Sequence, residues 1–400
     1  MNRNRKLRRF RFFLTSILPM GLPAPSIPAA HRIRSQRVCY GKESKPNMES
    51  ELPEIGKISP QIFDELILPR LGAKSDHILV GPQHGVDVGI VEIGGKALSF
   101  TCDPVFIVPQ YGWERAAWFA IHIIASDSVT SGLKPKYLSI DLNLPMEMTR
   151  EQLEIMWTVI HQQCEQMGIS VITGHTARYD NCHYPMVGGA TITGIGELNE
   201  YVTPKFAKAG DKIIITKGPA IEASGIFATM FPGLLAEKFG ADFAKKAEDI
   251  FYKMSVVEDA VTAITVGVRD DGVSAMHDAT ECGIWGGLYE VAQAAGLGVR
   301  IEKDKIVVED RVLEICQLFD IDPYASISEG TLIISCREHK AEKVVDALAK
   351  KDIRASIVGE LTDAKKGMVL VEDGKEKKLL HPVVDPFWRA FYDAAQKYSS

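Results

Sequence analysis

The chain has 400 residues, of which 46% are hydrophobic and 24% charged, the composition of an ordinary soluble globular protein. This length exceeds what one hydrophobic core usually supports, so two domains are expected. The net charge of −6 is unevenly distributed, because residues 1–47 hold eleven Lys and Arg against one Glu, a charge of +10 that leaves −16 for the remainder. Such an acidic body argues against nucleic-acid binding as its main purpose.

The first half of the chain predicts intermixed helices and strands without a strict βαβ alternation. This pattern is typical of an α+β domain with a partly antiparallel sheet. The polar segment 197–210 is interpreted as a linker. In chain order the predicted elements are a helix at 60–71, strands near 86–93 and 97–101, a helix at 113–129, a strand at 136–144, a helix at 149–167, and strands at 170–173 and 186–194.

The second half predicts a second domain of strands and helices, so the domain boundaries are placed at 55–197 and 210–375. Strands are predicted at 212–216, 273–276, 298–301, 331–336 and 355–359, and helices at 219–230, 241–254, 256–268, 308–319 and 340–350, with one more helix ending at residue 296.

Three aspartates in the first half stand beside apolar segments: Asp87 in HGVDVGIV, Asp103 in LSFTCDP and Asp127 in AIHIIASDSVTSG. Carboxylates are almost never fully buried unless they are paired or bound to a cation. Carboxylate oxygens are also the ligands that hard divalent cations prefer. The three aspartates therefore predict a divalent-metal site.

Asp127 is the strongest of these candidates. The apolar spacing of residues 113–129 predicts a helix that stops near Ser131, so Asp127 lies near the C-terminal end of that helix. The helix dipole disfavours a negative charge there by about 0.3–1 kcal/mol. Either a bound Mg²⁺ or a nearby Lys or Arg can compensate. Asp103 has a simpler alternative, a turn residue before a proline, since that position is pushed to extended geometry.

Further segments in the chain carry residues suited to phosphate binding. Gly85 belongs to a glycine loop, which permits close approach of the backbone to a ligand. His175 is predicted at the end of a strand, where it either contacts a phosphate or is a turn histidine bonded to backbone. Lys217 precedes a predicted helix start, whose free N–H groups favour an anion.

Two acidic residues in the second half are candidates for catalysis. Asp278 lies in HDATECG, where Asp278 and Thr280 either act in chemistry or cap the following helix. Glu329 lies in SEGTLIIS and is either a general base in a pocket that raises its pKa or an exposed turn residue.

In this order, the segments DVGIV, TCDP, ASDSVTSGLKPKYLS, TGHT, AGDKIIITKG, HDATECG and SEGTLIIS resemble the AIR synthase superfamily over about residues 55–375. This superfamily includes AIR synthase, the hydrogenase-maturation HypE proteins, selenophosphate synthetase and thiamine-monophosphate kinase, and HypE is the most similar by motif. The resemblance implies a two-domain α+β fold. The N-terminal mixed sheets of two subunits would form a barrel across a homodimer, and the C-terminal domain would be an α/β sandwich.

The resemblance also implies an activity, the ATP- and Mg²⁺-dependent transfer of the γ-phosphate to an oxygen of an amide-like or carboxyl-like small molecule. The setting would be hydrogenase maturation, with a maturation protein as a partner. Asp87, Asp103 and Asp127 would hold Mg²⁺, and Glu329 and Asp278 would be catalytic. The ATP contacts implied in the same way are Gly85, Thr101, His175, Thr176, Arg178 and Lys217.

The chain also departs from the HypE pattern. HypE proteins end in a cysteine, whereas no cysteine follows Cys336 here, so the tail at 376–400 cannot carry a thiocyanate. Against the family's TGDTK motif, His175 replaces an Asp and Ala177 a Lys, although Arg178 can supply the lost charge, and Ser328 replaces an Asn before Glu329. The alternative is a nucleotide-binding maturation or scaffold factor without catalysis.

The basic segment at residues 1–47 has two interpretations. It resembles an export or transit signal, but its apolar stretch is broken by Pro19 and Pro23 and is too short to span a bilayer. The favoured interpretation is a true start at Met48, since an ATP-using enzyme belongs in the cytoplasm. No other segment predicts a membrane span. The seven scattered cysteines contain no CxxC pair, which favours reduced cytosolic thiols over disulfides or a zinc site.

Overall fold

The computed structural model describes Ile58 and residues 60–398, and the segment 1–47 lies outside them. Within the unit Ile55–Ser400 the described residues form two sheets and the helices around them. The first sheet has the order β1-β2-β3-β6-β4-β5, in which β4 and β5 are parallel and all other pairs antiparallel. Its strands are β1 (Ile78–Val80), β2 (Gly89–Ile93), β3 (Lys96–Phe106), β4 (Pro135–Leu144), β5 (Ser170–Arg178) and β6 (Met186–Glu197).

The second sheet has the order β13-β12-β9-β11-β7-β10-β8, in which only β12 and β9 pair in parallel among the described strands. Its strands are β7 (Lys212–Thr216), β8 (Val273–Asp278), β9 (Gly298–Glu302), β10 (Leu332–Cys336), β11 (Ala355–Thr362), β12 (Met368–Glu372) and β13 (Lys375–Lys378). Both sheets are therefore mixed, as expected for an α+β protein.

The α-helices of the described chain lie between and around these strands. They are α1 (Pro60–Ile62), α2 (Trp113–Val129), α3 (Arg150–Met167), α4 (Ile221–Met230), α5 (Pro232–Phe239), α6 (Ala241–Ala247), α7 (Val257–Ala263), α8 (Gly283–Ala294), α9 (Asp310–Leu318), α10 (Glu338–Ala349) and α11 (Pro386–Tyr398).

Local sequence explains how the helices beside the first sheet form. Helix α3 begins with a capping box, in which Thr149 accepts from the N–H of Gln152 while the Gln152 side chain accepts from the N–H of Thr149. It ends at Gly168, which adopts the left-handed conformation typical of a helix terminus. Helix α2 is buried along most of its length and packs with the sheet and with α4 in one apolar core.

Several predicted boundaries differ from the structure. The predicted helix at 60–71 is three short turns of different helical type, with Pro69 in the last, since proline has no N–H to continue a helix. The predicted helix 241–254 ends at Ala247 and continues as a 3₁₀ helix. The strand predicted at 170–173 extends to Arg178, so His175 lies within a strand and not at its end.

Asp103 is likewise not a turn residue, because it and Pro104 lie inside the long strand β3. The strand tolerates the proline where its pairing with β6 becomes irregular, between Pro104 and Phe106. The sequence predictions also omitted β1, α5, β12, β13 and α11. Of these, α11 and most of β13 lie in the segment 376–400 that was predicted only as a tail.

Strand β5 is an edge of the first sheet and is exposed along nearly its whole length. Two of its apolar side chains, Val171 and Ile172, are 42% and 60% exposed. Exposed edge strands present unpaired N–H and C=O groups to a potential partner.

Candidate active site

The structure brings the three predicted aspartates together with Asp278. Asp103 lies in β3 and Asp127 in the last turn of α2, and the Thr101 hydroxyl donates to Asp127 Oδ2 at 3.2 Å. Although Asp127 keeps partial exposure, burial raises its pKa well above the usual value, and the charges of Asp278, Asp103 and Asp87 raise it further. These four residues are called the carboxylate cluster below.

A buried histidine joins Asp87 of this cluster to Glu290 of helix α8. His277 Nδ1 lies 2.7 Å from Asp87 Oδ2, and His277 Nε2 lies 2.9 Å from Glu290 Oε2. Ligand atoms of Asp87, His277 and Asp278 all lie within 4.8 Å of one another. Burial alone would lower the pKa of His277, but the charges and hydrogen bonds of Asp87 and Glu290 outweigh it and hold the pKa well above its usual value. His277 is therefore an imidazolium whose two N–H groups donate to carboxylates.

Glu329 lies beside the cluster and is 2% exposed. Its backbone N–H donates to the carboxylate of Glu222 at 3.0 Å. Burial raises the pKa of Glu329 well above its usual value, and the charges of Asp278 and Glu222 add to this effect. Burial likewise raises the pKa of Glu222 to about 8. Carboxyl groups with pKa values shifted toward neutrality are suited to proton transfer.

The turn that carries Glu329 is held rigidly. Gly330 has φ of +100°, and a Cβ at this position would lie 2.2 Å from the carbonyl oxygen of Lys253, so only glycine fits. Thr331 donates from Oγ1 to the carbonyl of Gly218 at 2.6 Å and shares a hydrogen bond of 2.7 Å with the Ser328 hydroxyl. Ser328, which replaces the expected Asn, therefore stabilises this turn.

The carboxylate cluster fits a divalent cation on the chemistry of its donors. Four carboxylates offer the oxygen ligands that Mg²⁺ prefers, and the imidazolium of His277 supplies one positive charge against them. His277 itself is not suited to bind the ion, because both of its ring nitrogens already donate to carboxylates. The metal role of Asp87, Asp103 and Asp127 stays a prediction that this arrangement supports.

Gly85 lies close to the carboxylate cluster, where its backbone packs against Glu290. It adopts φ of +71°, and a Cβ would lie 2.8 Å from the carbonyl oxygen of Glu290, the residue that holds His277. The loop that contains Gly85 thus packs directly against helix α8.

The segment containing His175, Thr176 and Arg178 is not brought to the cluster within a single chain. It lies on β5, which β4 and β6 separate from β3, a distance of about 14 Å at three strand spacings. His175 Nε2 lies 2.8 Å from the Tyr179 hydroxyl, and the Arg178 guanidinium donates to the carbonyl of Met146. Their contacts with a nucleotide stay a prediction.

Lys217 is also placed away from the cluster and has a partner of its own. Its Nζ donates to Asp259 Oδ2 at 2.8 Å and to the Ser255 carbonyl at 2.7 Å. It lines a separate cleft of about 610 Å³ together with His122 and Arg354. The buried ion pair with Asp259 explains its position without a phosphate.

Sequence reasoning missed two residues of the site, namely His277 and Glu222. The signal for Glu222 was present, because it is a lone carboxylate within the apolar run GPAIEASGIFA. His277 carried no such signal, since its partner Asp87 is 190 positions away along the chain.

In the described part of the chain, no helix combines the length and the apolar character needed to cross a bilayer. The fold and the site define a two-sheet α+β protein whose carboxylate-rich centre is assembled from both halves. Residues 85–196 match the N-terminal domain of AIR synthase related proteins, and residues 208–372 match their C-terminal domain. The chain belongs to the AIR synthase related family.

Named relatives agree with this assignment. A Methanocaldococcus jannaschii protein named for hydrogenase expression and formation is 25% identical over 338 residues, which cover 84% of this chain and 96% of that protein. The carbamoyl dehydratase HypE of Escherichia coli is 25% identical over 318 residues, covering 77% of this chain and 88% of HypE. A solved structure of the hydrogenase maturation protein HypE in complex with ATP superposes with a TM-score of 0.57 at 20% identity, covering 82% of this chain and 93% of that chain.

Proposed function

We propose that this chain is an ATP- and Mg²⁺-dependent enzyme of the HypE type, which transfers the γ-phosphoryl group of ATP to an oxygen of an amide-like or carboxyl-like substrate. The main support for this proposal is the carboxylate cluster, in which four acidic side chains from both halves of the chain share one site. A solved complex of the relative HypE with ATP supports the choice of nucleotide.

The chain's own residues have distinct tasks in this proposal. Asp87, Asp103 and Asp127 would hold Mg²⁺, which when bound neutralises charge on the nucleotide phosphates. His277 fixes the orientation of Asp87 through a hydrogen bond of 2.7 Å. Glu329, whose pKa is raised, would exchange a proton with the substrate.

The proposal is tested by ATP turnover of the full chain with pools of amide and carboxylate metabolites. Asp103→Asn and Asp127→Asn should each lower the turnover by more than the roughly 10–100-fold that loss of an outer-shell group costs. Asp141→Asn is the matched control, because Asp141 lies in β4, two strands away from the β3 strand that carries Asp103, and accepts a hydrogen bond from Asn143 at 2.8 Å. Unchanged turnover in both cluster variants would refute the proposal.

One observation favours a second function, a nucleotide-binding maturation factor without catalysis. His175, which replaces the expected Asp, and Arg178, which could supply the charge of the missing Lys, are engaged with Tyr179 and with the Met146 carbonyl. Tight Mg²⁺-dependent ATP binding without turnover on any substrate pool would support this alternative.

The homodimer is proposed on the exposed edge of the first sheet. Strand β5 presents apolar side chains such as Val171 and Ile172 to solvent, which a second copy would cover. Sedimentation of the wild type and of Ile172→Lys tests this proposal, and a monomeric wild type at micromolar concentration contradicts it.

A further inference from the structure

The C-terminal segment, residues 379–398, lies beyond the matched family domains, which end at residue 372. It is nevertheless a fixed part of the fold. Phe387 of α11 is 1% exposed, and its ring centroid lies 5.2 Å from that of Phe227 in the main core. Leu379 is also buried, at 2% exposure. The segment is therefore anchored on both sides of residues 380–386.

Between these anchors, the segment binds the loop that follows Asp278. Asp385 is 6% exposed, and its Oδ2 accepts the backbone N–H of Cys282 at 2.7 Å while its Oδ1 accepts the N–H of Phe387 at 2.9 Å. The Cys282 thiol donates to the Pro382 carbonyl at 3.1 Å. The N–H and the thiol of Cys282 are thus both engaged by the C-terminal segment.

The conformation of Cys282 shows why such contacts are needed. It adopts φ of +63° directly before α8, in a region that residues other than glycine rarely occupy. A strained residue of this kind persists only where its surroundings hold it. The Asp385 carboxylate satisfies an N–H at the start of α8 and carries the charge that the helix dipole favours there.

A second chain of contacts connects the segment to the carboxylate cluster. His381 Nε2 lies 3.8 Å from Glu290 Oε1, and the other oxygen of Glu290 lies 2.9 Å from His277, which in turn holds Asp87. The segment therefore contacts the loop that follows Asp278. It is also connected to Asp87 through the side chains of Glu290 and His277.

We propose that residues 379–398 complete the active site, and that Asp385 is a positioning residue which holds the loop 278–283 so that Asp278 faces Asp87. The inference rests on the proposed function for its catalytic meaning, but its structural content is independent of turnover. In this proposal the C-terminal segment stabilises the site, although it carries no cysteine.

The experiment measures maleimide labelling of Cys282 in the full chain without nucleotide, read by mass spectrometry of the peptide that contains it. Asp385→Ala should label about tenfold faster than the wild type, since it removes charge-assisted hydrogen bonds to the backbone. Asp385→Asn should be intermediate, because its amide oxygen can accept one of the two N–H groups. Asp393→Ala is the matched control, because Asp393 is an exposed aspartate of α11 in the same C-terminal segment, and Cys282 in this variant should label at the wild-type rate.

The separate values of kcat and KM distinguish a positioning role in the active site from a purely structural one. In Asp385→Ala, kcat for ATP turnover should fall about tenfold while KM for ATP stays within about twofold, because only the loop bearing Asp278 loses its support. If Asp385→Ala does not fold by circular dichroism, Asp385→Asn decides the outcome by the same measurements. Wild-type labelling in both Asp385 variants, or equally fast labelling in Asp393→Ala, overturns the inference. Absence of turnover in the wild type refutes the proposed function alone and leaves the labelling result to stand.

Discussion

Replacing Asp278 with Asn should make the metal-free protein more stable and at the same time remove its response to Mg²⁺. Ligand atoms of Asp278 and Asp87 lie within 4.8 Å of each other. At that distance two negative charges repel by about 3 kcal/mol at an effective dielectric constant of about 20. The imidazolium of His277 offsets part of this repulsion, so we expect a net gain of about 1–2 kcal/mol in the free energy of unfolding.

Bound Mg²⁺ should reverse the order of stability of the wild type and Asp278→Asn. A ligand that binds only the folded state stabilises it by about 2.7 kcal/mol at 100 times its dissociation constant. The wild type should gain this amount in excess Mg²⁺, whereas Asp278→Asn, with one carboxylate and one negative charge fewer in the cluster, should gain little. The two proteins should therefore exchange their order of stability between EDTA and Mg²⁺.

Urea denaturation of both proteins in EDTA and in excess Mg²⁺ measures this exchange, with Asp141→Asn as the control outside the cluster. The control should match the wild type in both buffers. The reasoning is refuted if Asp278→Asn is less stable than the wild type in EDTA and responds to Mg²⁺ equally.

Three further outcomes are expected. Burial raises the pKa of Glu222 from its ordinary 4.5 to about 8, so the folded state binds this proton more tightly than the unfolded state. The metal-free melting temperature should accordingly fall as pH rises from about 4.5 to 8, and less steeply in Glu222→Gln. His277→Phe removes the positive charge beside Asp87 and should cost about 3–5 kcal/mol in EDTA by urea denaturation, and a neutral result would show that this ion pair is unimportant. Phe387→Ala should cost about 3–5 kcal/mol, because the side chain is fully buried, whereas Trp388→Ala, at 36% exposure, should cost clearly less; equal losses would contradict the anchoring of α11.

The parts of the site that sequence could predict are those with a local signal. Asp87, Asp103 and Asp127 each interrupt or border an apolar run, and this rule alone grouped residues that the structure places together. Applied to the second half, the same rule would have found Glu222. The contact between Asp87 and His277 could not be predicted, because tertiary packing creates it from positions 190 residues apart.

In the fold, too, the elements with a local sequence signal were predicted best. The capped helix α3 was predicted within one residue of its bounds, since Thr149 and Gly168 mark its ends in the sequence. The break after Ala247 has no Gly or Pro to announce it, and β5 continues past Gly174 because β4 pairs with it. The segment 386–398 did carry a helical signal, a proline at its first position followed by an apolar stripe, which the interpretation as a tail passed over.

The acidic centre is divided between the two halves of the chain, with Asp103 and Asp127 on one side of the segment 197–210 and Asp278 and Glu329 on the other. Two separately expressed fragments cut in that segment would each be inert. Mixed together, they should recover function only as far as they reassociate, with a dependence on both concentrations. This makes the chain a natural candidate for a split reporter, in which the joining of two fusion partners restores a working centre.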